Sequence, residues 1–125
     1  MSEEKIKILF VDDEPDQVMM ISLRLQKSGY AVISATDGEG GLKKAAEEKP
    51  ALILMDMLMP GMDGFEVCRR LRKNPATKHI PIIATTAVGM DDIEFLCREA
   101  GADDCVRKPY ASADLLMKIC RLLEK

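Results

Sequence analysis

No run of lysines or arginines appears along the chain, and a formal net charge of −3 leaves no basic excess with which to displace counterions from a phosphate backbone or an anionic membrane. Direct nucleic-acid and membrane-surface binding are therefore not expected. No apolar segment approaches the roughly 20 residues needed to cross a bilayer, and 1-MSEEKIKILF-10 lacks the charged region, apolar stretch and cleavage site of a secretory signal. The reading places the protein in the cytoplasm. Cysteines are few and scattered at Cys68, Cys97, Cys105 and Cys120, with no C-x-x-C pair and a single histidine, His79. That spacing indicates neither a zinc site nor a disulfide framework, so reduced, packed thiols are expected. His79, in 78-KHIP-81, reads as structural or solvated.

What the chain does contain is one domain's worth of residues, 1–125, with 47% apolar and 31% charged side chains of both signs interspersed. Such a length and balance suit a soluble globular domain able to bury its own core. Short aliphatic or β-branched runs predict five strands: 6-IKILFV-11, 31-AVISA-35, 51-ALILM-55, 81-PIIATTA-87 and 104-DCVR-107. Helical spacing follows each of them, through Val18, Ile21 and Leu25; Leu42, Ala45 and Ala46; Val67 and Leu71; Ile93, Leu96, Cys97 and Ala100; and Leu115, Ile119, Leu122 and Leu123. Pro15 suits a first helical turn, while Gly29, Pro50, Asn74-Pro75 and Gly101 suit helix ends. The second helix carries the weakest pattern, because 38-GEGG-41 puts glycines in its opening turn.

Strict alternation of apolar strands and helices implies an α/β fold, a doubly wound five-stranded parallel sheet between two helical layers. The common strand order 2-1-3-4-5 is assumed; it places ligands beyond the carboxyl ends of the strands, beside strands one and three. The groups gathered there would be 12-DDE-14, Asp56, 85-TT-86 and 107-RK-108. Carboxylates so close repel, which raises a pKa or calls for a cation, and an all-oxygen cluster suits Mg²⁺. With that charge reversed, a carboxylate could accept a phosphoryl group as an acyl phosphate. A DD pair or a Lys-Pro alone would mean only a cap or a turn. Their convergence from four strand ends of one sheet carries the reading.

The motifs 8-ILFVDDEP-15, 54-LMDMLMPGMDG-64, 81-PIIATTA-87 and 101-GADDCVRKPY-110 resemble, over essentially the whole chain, the receiver domains of two-component response regulators, including single-domain chemotaxis receivers. The resemblance implies a flavodoxin-like fold and a phosphorelay signalling module that catalyses its own phosphorylation and dephosphorylation without being a turnover enzyme. It implies Asp56 as the phosphorylated residue, Asp13 as a direct Mg²⁺ ligand, Asp12 as the acid holding the ion's water shell, and the Leu58 backbone carbonyl as a further ligand. Lys108 would pair with the acids and then the phosphoryl oxygens, and Thr86, favoured over Thr85, would move to bond the phosphate. The bond from Lys108 to Pro109 is expected to be cis. A sensor histidine kinase or a histidine phosphotransfer protein would be the donor, and the face of helix four, strand five and helix five would carry the signal or a dimer contact.

Three positions depart from the resemblance or tune it. Cys105 stands where many receivers carry an aromatic residue whose ring rotates on activation, and a cysteine has no ring to swing. Leu58 and Val88 occupy two positions that set phosphoryl lifetime, and neither can orient an attacking water, so a long-lived acyl phosphate is expected. Tyr110, Met57, Met59 and Met62 read as packing residues, Asp63 as a helix cap, and Pro60, Gly61 and Gly64 as shaping a loop. The rival readings are an Mg²⁺-dependent phosphatase or phosphotransferase of similar architecture, for which the chain has no spare capping segment, a flavin carrier, which would need phosphate-cradling donors in place of 12-DDE-14, and a pseudo-receiver docking module. Stand-alone regulator and excised receiver both remain open, as do the kinase and the downstream target.

Overall fold

A computed structural model describes residues 5–86 and 92–124. Val88, the expected kinetic position, and Ala87, the expected end of strand four, lie outside the described residues. Among the described residues, strands β1 (Lys7–Val11), β2 (Ala31–Ala35), β3 (Leu52–Asp56), β4 (Ile82–Thr86) and β5 (Asp104–Arg107) alternate with helices α1 (Pro15–Lys27), α2 (Gly38–Glu48), α3 (Gly64–Lys73), α4 (Ile93–Ala100) and α5 (Ser112–Leu123). The strands pair only in parallel, in the order β2-β1-β3-β4-β5. No described helix is long and apolar enough to cross a membrane.

Strand alternation divides the core in two. Ile8, Phe10, Leu52, Leu54, Ile83 and Val106 face one way and pack with Ile21 and Leu25 of α1 and Leu115 and Ile119 of α5. Leu9, Val11, Ile53, Met55, Ile82 and Ala84 face the other way, against Ala45 of α2, Val67 and Leu71 of α3 and Cys97 of α4. Because β1, β3 and β4 are covered on both faces, their side chains must be apolar at nearly every position, which is why the sequence shows runs rather than alternation there. β3 is buried throughout, its last residue being Asp56.

Helix ends follow the residues that flank them. Pro15 opens α1, and the Asp37 carboxylate caps α2 by accepting the Gly40 N–H at 2.7 Å. The glycines of α2 are there for closeness: a Cβ at Gly41 would meet Val11 Cγ2 at 2.9 Å, and one at Gly38 would meet Val67 Cγ2 at 2.8 Å. Tight docking against β1 and α3 outweighs the weak helical propensity of this turn. Gly101 closes α4 in the left-handed region at φ 117°.

Two packing expectations are corrected. Leu96, placed by spacing on the inner face of α4, is 37% exposed, at the margin of that stripe. Cys68, Cys97 and Cys105 are buried free thiols, but Cys120 is exposed on α5, its Sγ lying 3.5 Å from the Tyr30 hydroxyl.

Candidate functional site

Asp56 ends β3 with its side chain on the parity of Leu52 and Leu54, so the strand that buries the core also carries a carboxylate inward at its carboxyl edge. It is 4% exposed, and Asp12, just past the end of β1, is fully buried. Carboxylate oxygens of Asp12, the partly buried Asp13 and Asp56 lie within 4.8 Å of one another. From the edge of β5, the Lys108 ammonium reaches Asp12 Oδ2 at 3.1 Å and Asp56 Oδ2 at 3.4 Å, with the exposed Glu14 at 3.8 Å. The peptide bond joining Lys108 to Pro109 is cis, as expected.

Backbone donors fix the two buried acids. Asp56 Oδ1 accepts the Leu58 N–H at 3.1 Å, and Asp12 Oδ1 accepts the Glu14 N–H at 2.9 Å. In each case the second oxygen faces the ammonium. Burial pushes the Asp56 carboxyl up to about 6; the Leu58 N–H and the Lys108 charge oppose that rise, and the Asp12 charge adds to it. For Lys108, burial opposes the charged form, yet Asp12 and Asp56 outweigh it and hold its pKa above the ordinary lysine value.

Three carboxylates lie together beside one ammonium that pairs with two of them, so the cluster keeps an excess of negative charge in a poorly solvated place. The donor set, all oxygen and partly preorganised by backbone N–H groups, fits a hard divalent cation such as Mg²⁺. Leu58 itself is 45% exposed, and its described contact with the site is the N–H bond to Asp56.

Thr85 and Thr86 are both fully buried at the end of β4. Thr85 pairs in register with Asp56, and its hydroxyl has no hydrogen-bond partner among the described residues. The Thr86 carbonyl accepts the Lys108 N–H at 2.6 Å, which ties the end of β4 to the lysine's own backbone.

The loop after β3 owes its shape to two different glycines. Gly61 takes φ 77°, as a turn glycine does. Gly64 needs no unusual dihedral; its role is closeness, because a Cβ there would fall 2.6 Å from Met57 Cα and closer still to the Asp56 carbonyl oxygen. The Gly64 N–H donates to the Met57 carbonyl at 3.1 Å. Asp63 caps α3 by accepting the Glu66 N–H at 3.0 Å, and so stands apart from the acidic cluster. Met57 and Met59 are core residues, with Met62 packed against them, and His79 is exposed. Tyr110 packs at the edge of the other core and receives the Gln17 side-chain N–H at 3.2 Å.

Spacing within the sequence did not single out Arg72. Its guanidinium donates to the carbonyls of Lys78, Ile80 and Gly101 at 2.7 to 2.9 Å and to Asp103 Oδ2 at 2.8 Å, at the end of the sheet away from Asp56. The only hint was an arginine one position past the buried Leu71, on the flank of the apolar stripe of α3.

Comparison with known proteins finds a family match and similar solved structures. Residues 8–120 match the family model described as "Response regulator receiver domain". The chain is 41% identical over 119 residues to the alkaline phosphatase synthesis transcriptional regulatory protein PhoP of Bacillus subtilis, covering 95% of this chain and 49% of that one. It thus spans about half the length of that curated relative. Among solved structures, the chemotaxis protein CheY4 of Vibrio cholerae superposes with a TM-score of 0.89 at 32% identity, covering 95% of this chain and 99% of that one. The receiver domain of the sensor histidine kinase PA1611 of Pseudomonas aeruginosa, which holds a magnesium ion in its active-site cleft, superposes with a TM-score of 0.90 at 30% identity, covering 98% and 100%.

Proposed function

The chain belongs to the response regulator receiver domain family, and from that premise we propose that it is the phosphoacceptor of a two-component phosphorelay, taking a phosphoryl group from a phosphohistidine onto Asp56. The observation that carries the proposal is the buried Asp56 carboxylate held between Asp12, Asp13 and the Lys108 ammonium at one sheet edge.

An Asp56 carboxylate oxygen attacks phosphorus; the P–N bond to the donor imidazole breaks, and its electron pair stays with the imidazole nitrogen. The Leu58 N–H holds the other Asp56 oxygen at 3.1 Å and so fixes which oxygen is presented. Lys108, already shared between two acids, pairs with the phosphoryl oxygens as negative charge moves onto Asp56. Asp12, Asp13, Asp56 and the Leu58 carbonyl are the groups that would hold Mg²⁺, which when bound supplies the positive charge that lets an anionic donor approach this acidic edge. The module accelerates its own phosphorylation once per cycle and does not turn over a small substrate.

A groove of about 640 Å³, lined by Gln17, Met20 and Arg24 of α1 and by Lys108, Pro109 and Tyr110, opens beside the lysine. It supports delivery by a protein donor, a histidine kinase or histidine phosphotransfer protein in the cytoplasm. Thr86, buried at the end of β4, is the hydroxyl proposed to close on the phosphate and shift the populations of two conformations. The readout surface is proposed to be α4, β5 and α5, where Phe95, Leu96 and Met117 are exposed. Leu58 offers no group to orient water beside Asp56, so the acyl phosphate is proposed to be long-lived.

Mixing the protein with acetyl phosphate and Mg²⁺ tests the assignment. Wild type is expected to gain one acid-stable, hydroxylamine-sensitive phosphoryl group, and Asp56→Asn none. Undiminished labelling of the variant refutes it.

A further inference from the structure

Two of the buried thiols are neighbours across an element boundary. Cys97, in the last turn of α4, and Cys105, in β5, have their Sγ atoms 3.9 Å apart. Both backbones are held: the Cys97 carbonyl accepts the Ala102 N–H at 3.0 Å, the Asp103 N–H reaches the Ile82 carbonyl at 2.8 Å, and Cys105 pairs with Ala84 in the sheet. A disulfide needs sulfurs about 2.05 Å apart, so these two have roughly 2 Å to close before they can bond.

Their surroundings differ in a way that assigns roles. Cys97 is fully buried, whereas Cys105 keeps 8% exposure. Cys105 also lines a cavity of about 430 Å³ with Glu94, Tyr110, Asp114, Met117 and Lys118, which brings solvent and small oxidants up to this residue. Hydrogen bonding between the two sulfurs draws the Cys105 thiol below its ordinary range and holds Cys97 well above its own. Residual exposure and the cavity make Cys105 the more accessible of the two residues.

We propose that Cys97 and Cys105 are a reversible dithiol–disulfide pair, in which a peroxide entering the cavity oxidises Cys105 and Cys97 resolves it, fastening α4 to β5. Cys105 gives up its proton and its thiolate attacks one peroxide oxygen; the O–O bond breaks, and the leaving hydroxide takes up that proton, giving water and a sulfenic acid. Cys97 then attacks that sulfur, its proton leaves with the departing hydroxyl as a second water, and the S–S bond forms. Two thiols are oxidised by two electrons and one peroxide is reduced to two waters. A thiol reductant restores the open pair. Cys68 is not in this contact, and Cys120, exposed on α5, would react only between molecules.

The reaction does not depend on phosphoryl transfer, and Asp56→Asn is expected to undergo it unchanged, so failure here and failure of the proposed function are separable. The test treats the reduced 125-residue chain, wild type and Cys120→Ser, with hydrogen peroxide and maps the products by mass spectrometry. The expected result is a monomer lighter by two hydrogens, with free thiols falling from four to two in wild type and from three to one in Cys120→Ser, a proteolytic peptide joining Cys97 to Cys105, full reversal by dithiothreitol, and an upward shift of the thermal midpoint. In Cys97→Ser, dimedone is expected to label Cys105. Three free thiols remaining in the peroxide-treated Cys120→Ser protein overturn the proposal, as does a bond involving Cys68 or irreversible overoxidation of Cys105 in wild type.

Discussion

Asp56 is protonated in the folded chain up to about pH 6, against an ordinary carboxyl value of 3.8. Between those limits the folded state holds the proton more tightly than the unfolded one. Ionisation therefore costs stability as pH rises from 3.8 to about 6, and the cost stays constant above that. Asp56→Asn removes the buried charge while keeping the shape. In EDTA at pH 7.5 the variant is expected to be more stable than wild type by about 1–2 kcal/mol, the loss of a Lys108 partner offsetting part of the gain. The difference should shrink towards zero by pH 4; melting curves across that range check it, and an advantage independent of pH would contradict the assigned cause. The residues of this cluster were largely legible in sequence because a charge directly after an apolar run has few structural excuses. Thr85 and Thr86 were harder to tell apart, since adjacent hydroxyls at a strand end differ only in the face they take, and both are fully buried. Cys120 was misjudged for a related reason: spacing marks the apolar stripe of α5 but not the edge where that stripe meets solvent.

At the scale of elements, α3 is placed by two contacts that spacing in sequence does not encode. Its first residue, Gly64, lies against the backbone of Asp56 and Met57. Gly64→Ala must push the helix or the end of β3 aside, for an expected loss of about 2–4 kcal/mol and a slower phosphorylation of Asp56. Denaturant unfolding and an acetyl phosphate time course measure the two; a variant as stable and as fast as wild type would show that the helix start yields freely. At the other end of α3, Arg72 binds carbonyls of the α3–β4 and α4–β5 connections together with Asp103, whose Oδ2 also accepts the Ile82 N–H at 2.8 Å. Arg72→Ala removes four hydrogen bonds, two of them to part-buried carbonyls, and is expected to cost about 2–3 kcal/mol. Arg72→Lys should recover little of it, because an ammonium lacks the planar fork that reaches several acceptors at once. Helix periodicity and the Asp63 cap were read directly from the chain, since the partners are local, whereas the equally local Asp37 cap was not singled out. Contacts such as that of Arg72 with Gly101, 29 residues away, become visible only once the fold has brought the loops together.

For the molecule as a whole, the acidic edge is a site where binding energy becomes folding energy. Mg²⁺ that binds only the folded cluster is expected to raise the thermal midpoint progressively, adding about 2.7 kcal/mol at a hundred times its dissociation constant. Asp13→Asn is expected to abolish most of that response while leaving the metal-free midpoint nearly unchanged, as differential scanning calorimetry would record. An equal magnesium response in the variant would remove Asp13 from the ligand set. The sheet order was assumed from the alternation of elements, and the observed β2-β1-β3-β4-β5 order agrees with it. That order separates two centres along β4, whose residues Ile82 to Thr86 span about 13 Å from the Arg72 clamp to the acidic edge. Substitutions that far apart, with no shared partner, tend to combine additively. A lineage, or a protein engineer, can therefore adjust how long this domain survives heat at one end of the sheet while leaving its signalling chemistry at the other end to evolve on its own schedule.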